Sequence, residues 1–253
     1  MSEEAPRLRI RGLAKSFDGT PVLTDVDLDV GIGESLAVIG QSGTGKSVLI
    51  KCVLGLLHPD SGSILIDGEE MVGAKAETRR RLRAKFGMLF QGGALFDSLP
   101  VWRNVTFGLT QGRAGRVAEM REIAVTSLRR VGLDADILDR RPSEISGGMQ
   151  KRVALARAIA PGPEILLFDE PTTGLDPIRA GVINELICAL VADLGVTALT
   201  ITHDMVSARR VAHHVAMLHE GRIVWHGTRA QLDSSGNAYV DQFVKGRSDE
   251  GAC

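Results

Sequence analysis

Gly40-Gln41-Ser42-Gly43-Thr44-Gly45-Lys46-Ser47 fits G-x-x-x-x-G-K-[ST] and follows the apolar run Ser35-Leu36-Ala37-Val38-Ile39. Residues 47–57 are apolar at most positions and read as a buried helix. A strand that ends in a glycine-rich turn and opens into a helix is the context in which this pattern binds phosphate; without it, the match is a glycine-rich turn. Glycines admit positive φ and close backbone approach, so successive N–H groups can face phosphate oxygens. The helix start adds the positive end of its dipole. Lys46 can reach the β- and γ-phosphates, and the Ser47 hydroxyl can ligate Mg²⁺. Gly40, Gln41, Ser42, Gly43, Thr44, Gly45, Lys46 and Ser47 are therefore candidate nucleotide-binding residues.

Two further segments carry chemistry that suits such a loop. Ile165-Leu166-Leu167-Phe168-Asp169-Glu170 is four apolar residues followed by two acids. A buried strand would deliver both carboxylates to the C-terminal edge of a parallel sheet, where ligands bind. Asp169 would hold Mg²⁺ directly or through water, and Glu170 would polarise a water attacking the γ-phosphate. The bland alternative is a strand ending in a solvated acidic turn. Ile145-Ser146-Gly147-Gly148-Met149-Gln150 precedes a helical run from Lys151 to Ala160. Ser146 suits an N-cap, and Gly147 and Gly148 leave backbone N–H groups bare, which makes a second anion site.

Around these motifs the chain alternates strand and helix patterns. Leu8, Ile10 and Leu13, then Val26, Leu28 and Val30, alternate as half-buried strands, and Ser61-Gly62-Ser63, Ile64-Leu65-Ile66 and Asp67-Gly68 read as turn, strand, turn. Phe86-Gly87-Met88-Leu89-Phe90 is a short buried strand. Residues 97–160 lack strand periodicity, with helical spacing over 118–131 and 147–160. Strands are expected at 165–168, 196–202 and 215–218, with a helix over 178–194. Strand–helix alternation implies a parallel sheet. The expected fold class is α/β, in one domain over 1–253. Its core, 7–96 and 161–233, carries a mostly parallel sheet and an N-terminal antiparallel β subdomain. A helical subdomain is inserted at 97–160. The tail, 234–253, is polar enough to be partly disordered in isolation.

With 253 residues, a net charge of −1 and an ordinary apolar fraction, the chain can bury a full core and lacks the basic balance of a nucleic-acid binder. The cluster Arg79-Arg80-Arg81-Leu82-Arg83-Ala84-Lys85 is the exception. It reads as a solvated helix face, or as a contact with anionic lipid or a partner. Cys52, Cys188 and Cys253 are far apart and suit a reducing compartment; the first two fall in apolar helical patterns and the last is expected to be exposed. The start, Met1-Ser2-Glu3-Glu4-Ala5-Pro6-Arg7, is acidic and polar and reads as no signal peptide. The longest apolar stretch, 186–202, is broken by Asp193 and Gly195, so in any membrane process another chain is expected to cross the bilayer.

Taken in order, these motifs resemble the nucleotide-binding subunit of an ATP-binding cassette (ABC) transporter over nearly the whole chain, with the P-loop NTPase core of that family. Ser146-Gly147-Gly148 is similar to the family's signature motif, and Gln91 resembles the Q-loop. Thr173-Gly174-Leu175-Asp176 resembles the D-loop, and His203 in Thr200-Ile201-Thr202-His203-Asp204 the switch histidine. Phe17 stands where an aromatic stacks on adenine. The resemblance implies ATP and Mg²⁺ as cofactors. Glu170, His203, Gln91 and Lys46 become the catalytic residues; Ser47, Gln91 and Asp169 lie on the metal side; Phe17, Ser146, Gly147, Gly148 and Asp176 join the phosphate loop on the nucleotide. It also implies a head-to-tail homodimer of two copies of this chain, each ATP enclosed by one copy's phosphate loop and the other's signature. Met149 stands where the commonest signature has Gln, so the phosphate contact is expected from Ser146 and the glycine amides.

A narrower resemblance lies in Met88-Leu89-Phe90-Gln91-Gly92-Gly93-Ala94-Leu95-Phe96-Asp97-Ser98-Leu99, which is similar to the segment after the Q-loop in ATPases of the maintenance-of-lipid-asymmetry type. Met149 and the tail Tyr239-Val240-Asp241-Gln242-Phe243-Val244-Lys245-Gly246 resemble theirs too. It implies phospholipid transport at the cytoplasmic face of a bacterial inner membrane. The implied partners are a membrane permease that docks on the small, apolar residues 92–96, a periplasmic MCE protein and a small cytoplasmic regulatory subunit, with no nucleic acid. The alternatives are an ABC ATPase of a small-solute importer and a non-transport ABC switch.

Overall fold

In the computed structural model, residues 5–110 and 116–245 are described. Cys253 and the tail beyond Lys245 lie outside them, as do the first four residues. In chain order the elements are β1 (Leu8–Phe17), β2 (Thr20–Val30), β3 (Ser35–Ile39), α1 (Lys46–Val53), β4 (Ser61–Ile66), β5 (Glu69–Glu70), α2 (Ala76–Arg83), β6 (Phe86–Leu89), α3 (Val101–Thr110), α4 (Val117–Arg130), α5 (Gly147–Ile159), β7 (Ile165–Asp169), α6 (Pro177–Leu194), β8 (Thr197–Thr202), α7 (Met205–Val211), β9 (His214–His219), β10 (Arg222–Thr228) and α8 (Ala238–Val244). The chain divides into two compact units, one formed by residues up to Arg83 and from Thr197 onward, the other by Ala84–Val196. The architecture is α/β: the N-terminal sheet is antiparallel, and the strand pairs described outside it are parallel except β9–β10.

In the first unit, β1 and β2 pair antiparallel, matching Leu8 with Val30 and Ile10 with Leu28. These apolar residues are buried while Arg11 on the opposite face forms two bonds, of 2.8 and 2.5 Å, to the Asp29 carboxylate. That is the alternation of a half-buried sheet. On the other edge of β1 lies β4, which begins at Ser61 where a turn is expected from the sequence. A register shift in β1 between Arg11 and Ala14 gives Ser61 and Ser63 partners, so pairing overrides local turn chemistry.

The second sheet of this unit places β3 between β8 and β9, parallel to both, with β10 antiparallel on β9. Every residue of β3 and β8 is buried, the pattern of strands covered on both faces. Ala37, Ile39, Val215 and Met217 form a cluster with Ala208 and Ala212, Leu232 and Val240. Val240 belongs to α8, whose Tyr239, Phe243 and Val244 pack on the same cluster. Within the tail whose polar composition suggests partial disorder in isolation, Ala238–Val244 is an ordered helix. The Asn237 side chain caps α8 by accepting from Tyr239 and Val240, and apolar residues of the helix cover the sheet.

Helix α1 stops at Val53, four residues short of expectation, because Gly55 turns the chain in the left-handed region (φ 61°). Arg83 caps that end, donating from Nε to the Leu54 carbonyl (2.9 Å) and from the guanidinium to Gly55. Arg81 pairs with Glu69, and Arg79 donates to the Ala74 carbonyl. Much of the basic cluster thus holds α2 in place instead of forming a purely solvated face. Cys52 is buried, and burial pushes its thiol up to about 11.

In the second unit, β6 and β7 pair in parallel, Phe86 with Ile165 and Leu89 with Phe168. Between residues 97 and 160 the described elements are helical, α3, α4 and α5 among them. Helix α5 seats directly under β6. A Cβ on Gly87 would stand 2.2 Å from the Ala158 carbonyl oxygen and 2.8 Å from Leu166 Cδ2. Gly87→Ala is therefore expected to lower stability by about 1–3 kcal/mol, the usual cost of overpacking. A denaturant-unfolding midpoint equal to that of the unsubstituted chain would contradict this close packing.

Candidate functional site

The phosphate-loop pattern is built as its spacing implies. β3 ends at Ile39, residues 40–45 turn, and α1 starts at Lys46 with Gly45 as a left-handed N-cap (φ 98°). No larger residue fits at Gly45, where a Cβ would meet the Val22 carbonyl oxygen at 2.8 Å and Leu23 Cδ2 at 2.9 Å. β2 therefore presses against the loop, on the strand that follows the Phe17 hairpin end. Thr44 Oγ1 donates to the Gln41 carbonyl (2.9 Å) and tightens the turn. Lys46 is only 6% exposed, and its ammonium donates to the Gly40 (2.8 Å) and Gln41 (2.7 Å) carbonyls. Gln41, Ser42 and Gly43 face solvent.

The same unit carries Phe17 and His203. Phe17 is 42% exposed, with the Lys15 ammonium 5.5 Å from its ring centroid. An aromatic face left open at a strand end is available for stacking. His203 is exposed just past β8, and the next residue, Asp204, fixes the chain there by capping α7 through Val206 and Ser207.

In the second unit, β7 delivers Asp169 and Glu170, both half-buried. Glu170 adopts φ 49°, a left-handed conformation that costs a non-glycine residue on the order of 1–3 kcal/mol and clusters at functional sites. Thr173 holds this geometry twice. Its N–H donates to the Glu170 carbonyl (3.2 Å) and its hydroxyl to Glu170 Oε2 (3.0 Å). Asp176 caps α6, accepting from Ile178 (3.1 Å) and Arg179 (3.0 Å). The backbone N–H of Arg179 is the main cause that holds its carboxyl below the usual range.

Ser146 takes the extended N-cap conformation of α5, and its Oγ accepts from the Met149 N–H (3.3 Å). Beside it a Cβ on Gly147 or Gly148 would meet nothing within 4 Å, so the helix start is open. The Gln150 side chain is turned away to the Pro142 (2.9 Å) and Ile145 (3.3 Å) carbonyls. Gln91 is exposed, and its backbone carbonyl accepts from the Lys151 ammonium. Arg157 donates to the Gly93 and Ala94 carbonyls, each at 2.6 Å. Burial pushes both cations below their ordinary pKa values. Sequence reasoning missed Thr173, Lys151 and Arg157 as site residues. Each acts through a hydrogen bond, two of them across more than fifty residues, which no local pattern encodes.

The ABC transporter family profile matches residues 23–173. The chain belongs to the ABC transporter family. As such it is an ATP-binding cassette that hydrolyses ATP to drive transport. It is 42% identical over 240 residues to the probable ribonucleotide transport ATP-binding protein mkl of Mycobacterium leprae, covering 95% of this chain and 69% of that one. It is 38% identical over 243 residues to the intermembrane phospholipid transport system ATP-binding protein MlaF of Haemophilus influenzae, covering 96% and 91%. The cassette also superposes with a TM-score of 0.79 and 28% identity on a dimeric ATP-binding cassette in a post-hydrolysis state bound to ADP and Pi, covering 88% and 98%. The similarity to MlaF bears out the narrower resemblance to ATPases of the maintenance-of-lipid-asymmetry type. Among the described residues no helix is long and apolar enough to cross a membrane.

Proposed function

We propose that this cassette energises phospholipid transport at the cytoplasmic face of a bacterial inner membrane, as a homodimer bound to a permease, a periplasmic MCE protein and a small regulatory subunit. The observation that carries the reading is the similarity to MlaF, which spans nine-tenths or more of both chains. The name of the mkl relative favours a second reading, a ribonucleotide as the transported solute.

The chain's residues take the following roles. Lys46 exchanges its bonds to the Gly40 and Gln41 carbonyls for charge-assisted bonds to the β- and γ-phosphates of ATP. The amides of residues 41–47 surround the same oxygens, and Phe17 stacks on adenine. Ser47, Asp169 and Gln91 are hard oxygen donors, and among the described residues no three His, Cys, Asp or Glu side chains converge as a cage. Oxygen donors with a single carboxylate among them suit Mg²⁺, which takes one or two carboxylates and completes its shell from substrate phosphates and water. Held by these residues, the ion would supply positive charge against the negative charge that develops on the phosphates. Glu170, aimed by Thr173, accepts a proton from the attacking water, while Gln91 and His203 contact the γ-phosphate and that water. Ser146 and the amides of Gly147 and Gly148 contact the ATP held by the second copy. ATP thus stabilises the closed dimer and its hydrolysis favours opening, a shift between two populations.

The test is purification of the native complex from membranes, with identification of its subunits and its bound lipid. An MCE-domain subunit and co-purifying phospholipid are expected. A solute-importer permease with no MCE subunit, or turnover stimulated by a ribonucleotide and not by phospholipid, would overturn the lipid reading.

A further inference from the structure

We propose that α5 is a rigid strut joining the Ser146 segment to the loop after Gln91, with Lys151 and Arg157 as the positioning residues that make the loop move with the helix. The inference rests on the reading that Gln91 and Ser146 both meet ATP, in different copies.

Three contacts tie residues 86–94 to this one helix. Gly87 of β6, the strand that leads into Gln91, lies so close to α5 that the Ala158 carbonyl leaves no space for a methyl group. The Lys151 ammonium bonds the Gln91 carbonyl. Six residues on, roughly 9 Å along the axis at helical rise, Arg157 forks across two successive carbonyls, Gly93 and Ala94. The second of these residues is held in the left-handed region, at φ 48°. From α3, buried Asn104 accepts from the Phe96 N–H (2.7 Å) and donates to the Phe96 carbonyl (3.1 Å). The backbone from 91 to 96 is therefore pinned at four residues, while the side chains of Gln91, Ala94 and Phe96 are left exposed.

The choice of residue types is informative. Lys151 is 8% exposed, and burial alone, with no carboxylate acting against it, shifts both Lys151 and Arg157. A cation taken out of water without a counter-charge is costly, and apolar residues would pack this helix face more cheaply. Apolar residues cannot fix carbonyl oxygens; charged donors can. The cap at Ser146 and the bond from Lys151 are five residues apart on one unbroken helix. Displacement of the α5 start by ATP at the second copy therefore shifts the Gln91 backbone in the same movement. Each nucleotide's occupancy is read at the other copy's γ-phosphate.

The test uses the full-length chain carrying Arg157→Met, Arg157→Lys or Lys151→Met. Mg-ATP turnover is measured with amide hydrogen exchange resolved over residues 92–97. In both Met variants kcat is expected to fall on the order of 10–100-fold, the scale of a small misplacement remote from the chemistry, with KM for ATP within about twofold. Exchange should quicken over 92–97 and stay unchanged in β3 and β8. Arg157→Lys restores a donor and should recover part of kcat. Unchanged kcat and unchanged exchange in the Met variants would overturn the inference. So would exchange that quickens throughout the chain, or Arg157→Lys behaving like Arg157→Met, since either marks a general structural role. Absence of ATP turnover in the unsubstituted chain would instead refute the functional reading beneath it.

Discussion

Glu170→Gln is expected to bind ATP as tightly as the unsubstituted cassette and to turn it over about 10²–10⁴-fold more slowly, the range a positioned general base supplies. The expectation follows from what the substitution changes. Glutamine keeps the length of the side chain and an oxygen able to accept from the Thr173 hydroxyl, so the bond that aims the group survives. The left-handed backbone at φ 49° is unaffected by a change at the end of the side chain. Proton acceptance is lost. Because binding persists while hydrolysis stalls, the closed dimer should accumulate, and with saturating Mg-ATP the variant should elute at twice the monomer mass. Turnover equal to that of the unsubstituted chain would remove Glu170 from the role of base. Persistent monomer would remove the proposal that ATP joins two copies.

How much of this was legible beforehand depends on how local each feature is. The phosphate loop was legible because strand, glycine turn and helix start are contiguous, and the close approach of Val22 and Leu23 to Gly45 shows why the glycine is needed. The acidic pair was legible because four apolar residues and two acids are enough to place carboxylates at a strand end. The cap at Ser146 was legible for the same reason. The α1 boundary was misread because apolar periodicity continues past Val53, although Gly55 ends the helix there. Helix α8 was hidden in a polar tail, since its apolar residues become meaningful only against Ala37, Val215 and Met217 far away in sequence. The basic cluster looked solvated because its partners, Glu69 and the carbonyls of Leu54 and Gly55, belong to other elements. Thr173 was visible only as part of a motif, and its bond to Glu170 requires knowing that the chain turns left-handed there.

Lys46→Ala is expected to weaken ATP binding about 10–150-fold, the equivalent of the 1.5–3 kcal/mol that hydrogen bonds to charged groups contribute. Lys46 is held where a phosphate would want it before any arrives, since its buried ammonium already bridges the Gly40 and Gln41 carbonyls. Little side-chain entropy is therefore lost when phosphate oxygens replace those carbonyls, and the affinity gained is the surplus of the ammonium–phosphate attraction over the two bonds given up. Alanine removes that contact and also the two bonds that draw the loop around itself. Gly45 still starts α1, β3 still ends at Ile39, and the core residues beneath are untouched. The thermal midpoint without nucleotide should shift little, whereas the stabilisation added by ATP should shrink as affinity falls, because a ligand stabilises in proportion to the logarithm of its concentration over Kd. Calorimetric titration with ATP checks the first expectation, and thermal unfolding with and without ATP checks the second. Unaltered affinity with an unaltered ATP-dependent shift would mean that this ammonium serves the loop's shape alone and that the phosphates are held elsewhere.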